Sequence, residues 1–162
     1  VDIKPRQGNL VGYRAKPHTS VIDLEKLNFY EPSDFWEEIR TDDERIILDP
    51  GAFYILVSRE AITIPPNCAA EMAPYLAMVG EFRVHYAGFF DPGFGMAELG
   101  ASQTRAVLEV RSHDVPFLIE QGQTVCRLVY EPMREVPDVL YGSAGSNYQS
   151  QGLRLAKHFI QD

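Results

Sequence analysis

The stretch "RIILDPGAFYILVSREAITIPPN", Arg45 to Asn67, decides the fold class of this chain. Short runs rich in Ile, Val, Phe and Tyr alternate in it with the turn signals Asp49-Pro50-Gly51 and Pro65-Pro66-Asn67. Such runs, bounded by Pro and Gly, are typical of β-strands. The stretch therefore predicts a strand, the Asp-Pro-Gly turn, a strand, a polar turn, a further strand and the Pro-Pro-Asn turn.

The rest of the chain extends this pattern in both directions. The further strand-like runs are "SVIDL" before the stretch and "FRVHYA", "RAVLEVRS", "VPFLI" and "TVCRLVYEPM" after it. The sequence "EQGQ" predicts a tight turn between the last two. Short strands at close spacing with few helices are typical of an antiparallel sandwich or barrel, so we expect a mainly β fold.

Helical signals are weaker. The segment "PSDFWEEIRT" predicts an early helix, because Asp34 followed three residues later by Glu37 fits a capping box and the acidic first turn suits the helix dipole. The segment "AEMAPYLAMVG" has a helical composition but is interrupted by Pro74, so it predicts a short helix or an irregular segment.

Length and charge limit the function. With 162 residues, 45% hydrophobic and 23% charged, the chain is predicted to form a single globular domain over residues 1–162. The net charge of −8 argues against binding to nucleic acid or to an anionic membrane, but not against binding a phosphorylated small molecule. The sequence shows no membrane span and no signal peptide, so we expect the cytoplasm. The first residue is Val, which leaves open a longer parent protein.

The sequence lacks the motifs of several common catalytic and binding sites. The four histidines are scattered without metal-ligand spacing, the two cysteines have no CxxC spacing, and GxSxG, Walker-type and GxGxxG motifs are missing from the sequence. A transition-metal site or a phosphate-binding glycine loop is therefore not expected. Carboxylates, backbone amides and water remain as the groups that carry chemistry.

Glu109 is the first candidate. In "AVLEVRS" the alternation places Ala106, Leu108 and Val110 on a core face and Glu109 on the other. Glu109 is then either an ordinary carboxylate on an exposed sheet face or a half-buried general base beside Arg111.

Asp91 has a similar pair of interpretations. The Asp-Pro-Gly turn that it begins is either only a turn or, with its aromatic neighbours, the wall of a pocket for a flat ligand.

The combination of "VHYAGFFDPGFG", "AVLEV", "EQGQTVCRLVYEPM" and "SNYQSQG" resembles the deoxycytidine triphosphate (dCTP) deaminase branch of the deoxyuridine triphosphatase (dUTPase)-like superfamily. The resemblance implies a distorted jelly-roll or β-barrel that assembles as a homotrimer with active sites between subunits. It also implies deamination of dCTP to dUTP, with Mg²⁺ on the triphosphate and no zinc. Glu109 matches the catalytic base that distinguishes the deaminases.

The resemblance also assigns substrate-binding roles. The backbone around Ala87 and Gly88 would hold the base edge or the water, Asp91 would face the deoxyribose hydroxyl, and Val107 would line the pyrimidine pocket. The segment from Tyr148 to Gln151 would close over the phosphates, and Tyr141 would make a further phosphate contact.

Some family features are missing. The phosphate-binding signature Gly-Arg-Ser-Ser falls on "MAPYLAMVG", Phe89 replaces a polar or basic residue, and Asn147 replaces a lysine. The segment "GMAELGASQT" resembles an insertion. These departures suggest the C-terminal half of a tandem protein whose second domain supplies the missing donors. The alternatives are a non-catalytic assembly or nucleotide-sensing domain and a dUTP diphosphatase, against which Glu109 argues.

Overall fold

The computed structural model describes residues 1–4, 7–74, 82–85, 89–146 and 148–161. It is mainly β, as predicted. The strands are β1 (Leu10–Ala15), β2 (Trp36–Arg40), β3 (Arg45–Leu48), β4 (Phe53–Ala61), β5 (Cys68–Pro74), β6 (Phe82–His85), β7 (Arg105–Ser112), β8 (Phe117–Glu120) and β9 (Cys126–Pro132). The helical elements are the four-residue helix α1 (Pro32–Phe35) and two 3₁₀ segments, Gln7–Asn9 and Ala97–Leu99.

The strands form one large sheet and two small ones. The large sheet has the order β2-β1-β4-β7-β6, and the strand pairs β3-β8 and β5-β9 form two-stranded sheets. All these pairings are antiparallel. Strands β3 and β4, which are consecutive in the chain, lie in different sheets, and the Asp49-Pro50-Gly51 turn joins them. Such crossings between layers are typical of a jelly-roll arrangement.

The main core lies between the large sheet and the two small sheets. Ala106, Leu108 and Val110 of β7 are 4%, 1% and 0% exposed, which confirms the predicted core face of that strand. They belong to one cluster with Leu48 of β3 and Ile119 of β8. The alternation along a single strand therefore indicated correctly which face of the large sheet is buried.

The opposite face of the large sheet is also covered. A second cluster there contains Phe35, Ile55, Leu155 and Phe159, with Trp36, Phe53 and Val107 packed against it. The ring of Phe159 lies edge-on to those of Phe35 and Trp36, at centroid distances of 5.5 and 6.0 Å. The C-terminal tail (residues 148–161) thus packs on the side of β7 that carries Glu109.

The early helix is shorter than predicted. It ends at Phe35, and Asp34 lies inside it rather than at its cap; the capping residue is Glu31, which makes no side-chain cap bond. Residues from Trp36 onward form β2 because they pair with β1, with Trp36 opposite Ala15 and Glu38 opposite Tyr13. The predicted capping box is therefore wrong, since sheet pairing outweighs the local helix preference.

Three further predictions are corrected. Residues 20–24 form no strand, and Val21 and Leu24 are 92% and 71% exposed. The run "AITI" does not form a separate strand, because β4 continues to Ala61 through a register shift after Val57. The segment 70–80, predicted as a short helix or an irregular segment, belongs to strand β5 up to Pro74 and pairs with β9, while residues 75–80 lie outside the described residues.

The predicted glycine turns are present. The Gly51 and Gly122 residues have φ values of 71° and 76°, and the amides of Ala52 and Gln123 donate to the carbonyls of Asp49 and Glu120. Each turn therefore uses a conformation that favours glycine. In the described part of the chain, no helix has the length and apolar character needed to cross a membrane.

Candidate functional site

A cavity of about 410 Å³ lies between the Glu109 side of the large sheet, the Asp91 turn and the C-terminal tail. It brings together six of the predicted site residues: Asp91, Val107, Glu109, Tyr141, Tyr148 and Gln151. They come from segments up to 60 residues apart in the sequence, counted from Asp91 to Gln151. The remaining two, Ala87 and Gly88, lie outside the described residues.

Glu109 lies on β7, which pairs with a strand on each side in the large sheet. Its backbone pairs with Ile55 of β4 on one side and with His85 of β6 on the other. Its side chain is partly buried and lines the cavity together with Val107. The face that carries Glu109 is therefore a covered, concave surface, which favours the pocket interpretation over the exposed sheet face.

Arg111 does not pair with Glu109. Its guanidinium carbon lies 4.8 Å from the centroid of the Phe53 ring, and Arg111 itself is exposed. No ion pair joins Glu109 to any side chain in the part of the chain that the structure describes. The cation expected beside the carboxylate instead makes a cation–π contact with an aromatic wall of the cavity.

The Asp91 turn forms the opposite wall. The amide of Phe94 donates to the carbonyl of Asp91 over 3.1 Å, and Gly93 has a φ of 95°, as a type II turn requires at that position. Phe90 anchors the turn to β5, because it exchanges two backbone hydrogen bonds with Ala70. The Asp91 side chain itself stays exposed and lines the cavity, so the turn is part of the pocket wall.

Three aromatic rings pack against one another around this turn. The Phe94 centroid lies 5.2 Å from that of Phe90 and 5.4 Å from that of Tyr141. The Tyr141 amide donates to the carbonyl of Pro92 over 2.8 Å. Both its backbone and its ring thus hold Tyr141 on the turn, where it forms part of the cavity wall.

Gly95, at the end of this turn, admits no side chain. Its φ is 73°, and an added Cβ would lie 2.1 Å from the Ile62 carbonyl oxygen. We expect Gly95→Ala to lower the free energy of unfolding by about 1–3 kcal/mol, because the backbone must shift and is strained at positive φ. Urea unfolding of the variant beside Gly100→Ala provides the measurement, since Gly100 also has positive φ but open space around it. Equal losses in the two variants would contradict the steric argument.

The tail is held on β7 by hydrogen bonds. The Arg105 amide donates to the Gln151 carbonyl over 2.9 Å, and the Gln151 side-chain amide Nε2 donates to the Arg105 carbonyl over 3.0 Å. The Ser150 amide donates to the Thr104 hydroxyl oxygen over 3.0 Å. Gln151, which lines the cavity, is therefore held in place through both its backbone carbonyl and its Nε2 group.

Sequence reasoning missed several residues that line the cavity. They are the aromatic residues Trp36 and Phe53, the aliphatic residues Ile55, Met72 and Leu155, and Arg154. The alternation of Leu153 and Leu155 with polar residues in "LRLAKHF" was the available signal that the tail packs against a sheet. The sequence around Trp36 did not indicate that this residue lines a sheet, because its pattern predicted a helix.

The segment that matches the phosphate-binding signature is described only in part. Met72 is buried and lines the cavity, Ala73 and Pro74 continue β5, and residues 75–80 lie outside the described residues. Phe89, which is 74% exposed, also lines the cavity. Apolar side chains therefore occupy positions at which the resemblance implies polar groups.

Comparison with known proteins gives consistent results. The family model described as "2'-deoxycytidine 5'-triphosphate deaminase (DCD), C-terminal domain" matches residues 1–159. The crystal structure of 2'-deoxycytidine 5'-triphosphate deaminase from Agrobacterium tumefaciens is 57% identical, with a TM-score of 0.77 over 85% of this chain and 42% of that chain. The chain thus spans less than half the length of that solved structure.

More distant relatives carry a related name. A protein named "dCTP deaminase, dUMP-forming" from Beutenbergia cavernae is 27% identical over 155 residues, which cover 90% of this chain and 77% of the relative. A protein of the same name from a Nocardioides species is 31% identical over 113 residues, which cover 67% of this chain and 56% of the relative.

Proposed function

Because the chain belongs to the 2′-deoxycytidine 5′-triphosphate deaminase C-terminal domain family, we propose that it takes part in the hydrolytic deamination of dCTP. The observation that carries this proposal is the cavity that gathers Glu109 with Asp91, Val107 and the Tyr148–Gln151 segment. Its volume of about 410 Å³ lies within the range of roughly 300–1,000 Å³ that is usual for small-molecule sites.

In the proposed reaction Glu109 acts as the general base. It accepts a proton from a water molecule whose oxygen bonds to C4 of cytosine as the C4–N3 double bond opens, and it returns this proton to the amino group as the bond from C4 to the amino nitrogen breaks and ammonia leaves. The remaining proton of the hydroxyl group moves to N3 as the C4 carbonyl forms. Water and dCTP thus give ammonia and dUTP, and Glu109 ends as a carboxylate. Val107 and Phe53 would pack on the pyrimidine, while the backbone around Ala87 and Gly88 would hold its edge or the water.

The charge of the cavity supports a role for Mg²⁺. Its described lining has two carboxylates, Asp91 and Glu109, and one guanidinium, Arg154, which gives a formal net charge of −1. A triphosphate carries about four negative charges, so further cations are needed. We propose that Mg²⁺ enters with the triphosphate and neutralises part of this charge.

The metal requirement is directly testable. We expect extensive chelation of the active full-length protein to abolish deamination while folding, followed by circular dichroism, stays unchanged. Mg²⁺ alone should then restore the activity, because the metal acts on the nucleotide and not in a built protein site. One stoichiometric zinc per chain in metal analysis, or recovery only with Zn²⁺, would contradict this mechanism.

We also propose that the remaining phosphate donors come from a neighbouring subunit or from a second, similar domain. The sequence at the family's Gly-Arg-Ser-Ser signature, with Ala73 and Pro74, cannot supply the arginine and serine side chains itself. The arrangement would be trimer-like, with the cytoplasm as the expected compartment. If no such donors exist, this domain serves assembly or nucleotide sensing without catalysis.

Product analysis tests the proposed function. Full-length protein incubated with dCTP should release ammonia and dUTP. Release of pyrophosphate together with dUMP would show that the final product is dUMP, as in the name of the relatives, and not dUTP. Pyrophosphate release from dUTP without ammonia release from dCTP would favour the dUTP diphosphatase, and no turnover at all with nucleotide binding retained would favour the non-catalytic role.

A further inference from the structure

Gln149 connects the C-terminal tail to the Asp91 turn. The first and last residues of the tail segment 148–151 line the cavity, whereas Gln149 does not. Its partly buried side chain bonds to the turn instead. The Oε1 atom of Gln149 accepts a hydrogen bond from the Gly95 amide over 3.1 Å, and its Nε2 group donates to the Gly93 carbonyl over 3.4 Å. A single side chain thus bonds to two backbone groups of the turn.

The two partners fix the orientation of this side-chain amide. A backbone N–H group can only donate and a backbone carbonyl can only accept, so Oε1 must face Gly95 and Nε2 must face Gly93. Gly142 leaves the room that the side chain needs, because an added Cβ there would lie 2.7 Å from Nε2 of Gln149. The Gln149 side chain therefore lies in a defined place between the turn and the segment that contains Gly142.

The Asp91 carboxylate takes its position from this turn. It is exposed and lines the cavity, and in the described part of the chain no ion pair includes it. On the strand side the turn is bonded through the Gly93 amide, which donates to the Ile64 carbonyl over 3.1 Å. Gln149 binds the turn from the side of the tail.

We propose that Gln149 is a positioning residue that sets the Asp91 carboxylate against the sugar of dCTP, an inference that rests on the proposed function. The free hydroxyl of the deoxyribose is the 3′-OH, because C5′ carries the triphosphate and C2′ carries no oxygen. A hydrogen bond from this hydroxyl to a carboxylate is strong only when it is short and well aligned. Because segment 148–151 would close over the phosphates, Gln149 also couples phosphate binding to sugar recognition.

The test is Gln149→Met in the full-length protein, because methionine keeps much of the volume and removes the amide group. The measured quantity is the ratio of kcat/KM for dCTP to that for 2′,3′-dideoxycytidine 5′-triphosphate, which lacks the 3′-OH. We expect wild-type protein to favour dCTP by roughly 10- to 100-fold, as a hydrogen bond to a charged group predicts. The variant should lose about 3- to 10-fold of this preference through poorer alignment, while kcat/KM for the dideoxynucleotide stays near the wild-type value.

The control is Gln123→Met. The Oε1 atom of Gln123 accepts a hydrogen bond from the Glu120 amide over 3.0 Å in the turn between β8 and β9, and Gln123 does not line the cavity. This variant also removes a bond between a side chain and a turn, and it should keep the wild-type preference. A purely structural effect lowers kcat/KM for both nucleotides together, so an equal loss for both in Gln149→Met would overturn the assignment.

Gly142→Ala covers the case in which Gln149→Met fails to fold. The new Cβ would displace Nε2, the end of a flexible side chain, so the bonds of Gln149 are disturbed without its removal. Gly145→Ala is the matched control, because Gly145 also has a positive φ, 87°, but open space around it. We expect Gly142→Ala to reduce the preference for dCTP and Gly145→Ala to keep it. Equal preferences in these two variants would contradict the inference.

Asp91→Ala separates this inference from the proposed function. It should remove the preference, and Gln149→Met should then have no further effect on it. A preference that Asp91→Ala loses but Gln149→Met keeps would overturn the inference alone. A preference that survives Asp91→Ala would overturn both the inference and the sugar-binding role of Asp91. Wild-type protein that releases no ammonia would overturn the proposed deamination, and the same ratio of nucleotide affinities, measured by calorimetry, would still test Gln149.

Discussion

The Glu109→Gln substitution is expected to lower the turnover of dCTP by the active full-length protein by at least 10²- to 10⁴-fold, the usual contribution of a general base. Glutamine has nearly the size of glutamate and keeps hydrogen-bonding capacity, but it cannot accept the proton of the attacking water. Because Glu109 makes no ion pair with a described side chain, its replacement should leave folding nearly unchanged. Nucleotide binding should also persist, since the proposed triphosphate contacts lie on other residues.

Turnover, nucleotide affinity and thermal unfolding should be measured together. Glu98→Gln is the matched control, because Glu98 lies exposed in the 3₁₀ segment Ala97–Leu99 and does not line the cavity. Normal deamination by Glu109→Gln would show that this carboxylate is not the base. Combined loss of folding and binding would instead give Glu109 a structural role.

The second large effect concerns Leu108, which is 1% exposed at the centre of β7. Leu108→Ala should lower the free energy of unfolding by about 2–5 kcal/mol, through lost hydrophobic transfer and the cavity left behind. Strand β7 pairs with β4 and β6 in the large sheet, so its backbone is held in place and the gap left by the side chain cannot close fully.

Equilibrium urea unfolding measures this difference. The control is Leu24→Ala, because Leu24 is 71% exposed and its truncation should change stability by no more than about 0.5 kcal/mol. Similar midpoints for the two variants, with equal slopes, would show that β7 is not the centre of the core. The result is independent of any catalytic role of the strand.

The sequence was most informative where local pattern and final environment agree. Alternation in 106–110 identified the buried face of β7, and the turn signals Asp49-Pro50-Gly51 and "EQGQ" located the boundaries between β3 and β4 and between β8 and β9. It was misleading at Trp36 and at Met72, where helix-like composition gave way to sheet pairing. In both segments the deciding partner lies far away in the sequence, which local propensity cannot register.

The residues of the candidate site were also predicted from the sequence only in part. Asp91, Val107 and Glu109 were identified from the quoted motifs, and the structure places them around one cavity. The wall formed by Trp36, Leu155 and Arg154 was not identified, because it depends on the tail returning to the large sheet. Periodicity describes one element at a time, so it does not indicate which distant segment covers that element's second face.

The return of the tail also bears on synthesis at the ribosome. Phe159 packs against Phe35 and Trp36, and the cavity wall includes residues as late as Ala156. At about 5–20 residues per second, the apolar side of β4 and β7 therefore emerges several seconds before the segment that covers it. During this interval Ile55 and Val107 form an uncovered apolar surface that invites association with other nascent chains. The same late contact that completes the cavity thus makes the segment that carries Leu155 and Phe159 a determinant of the protein's yield.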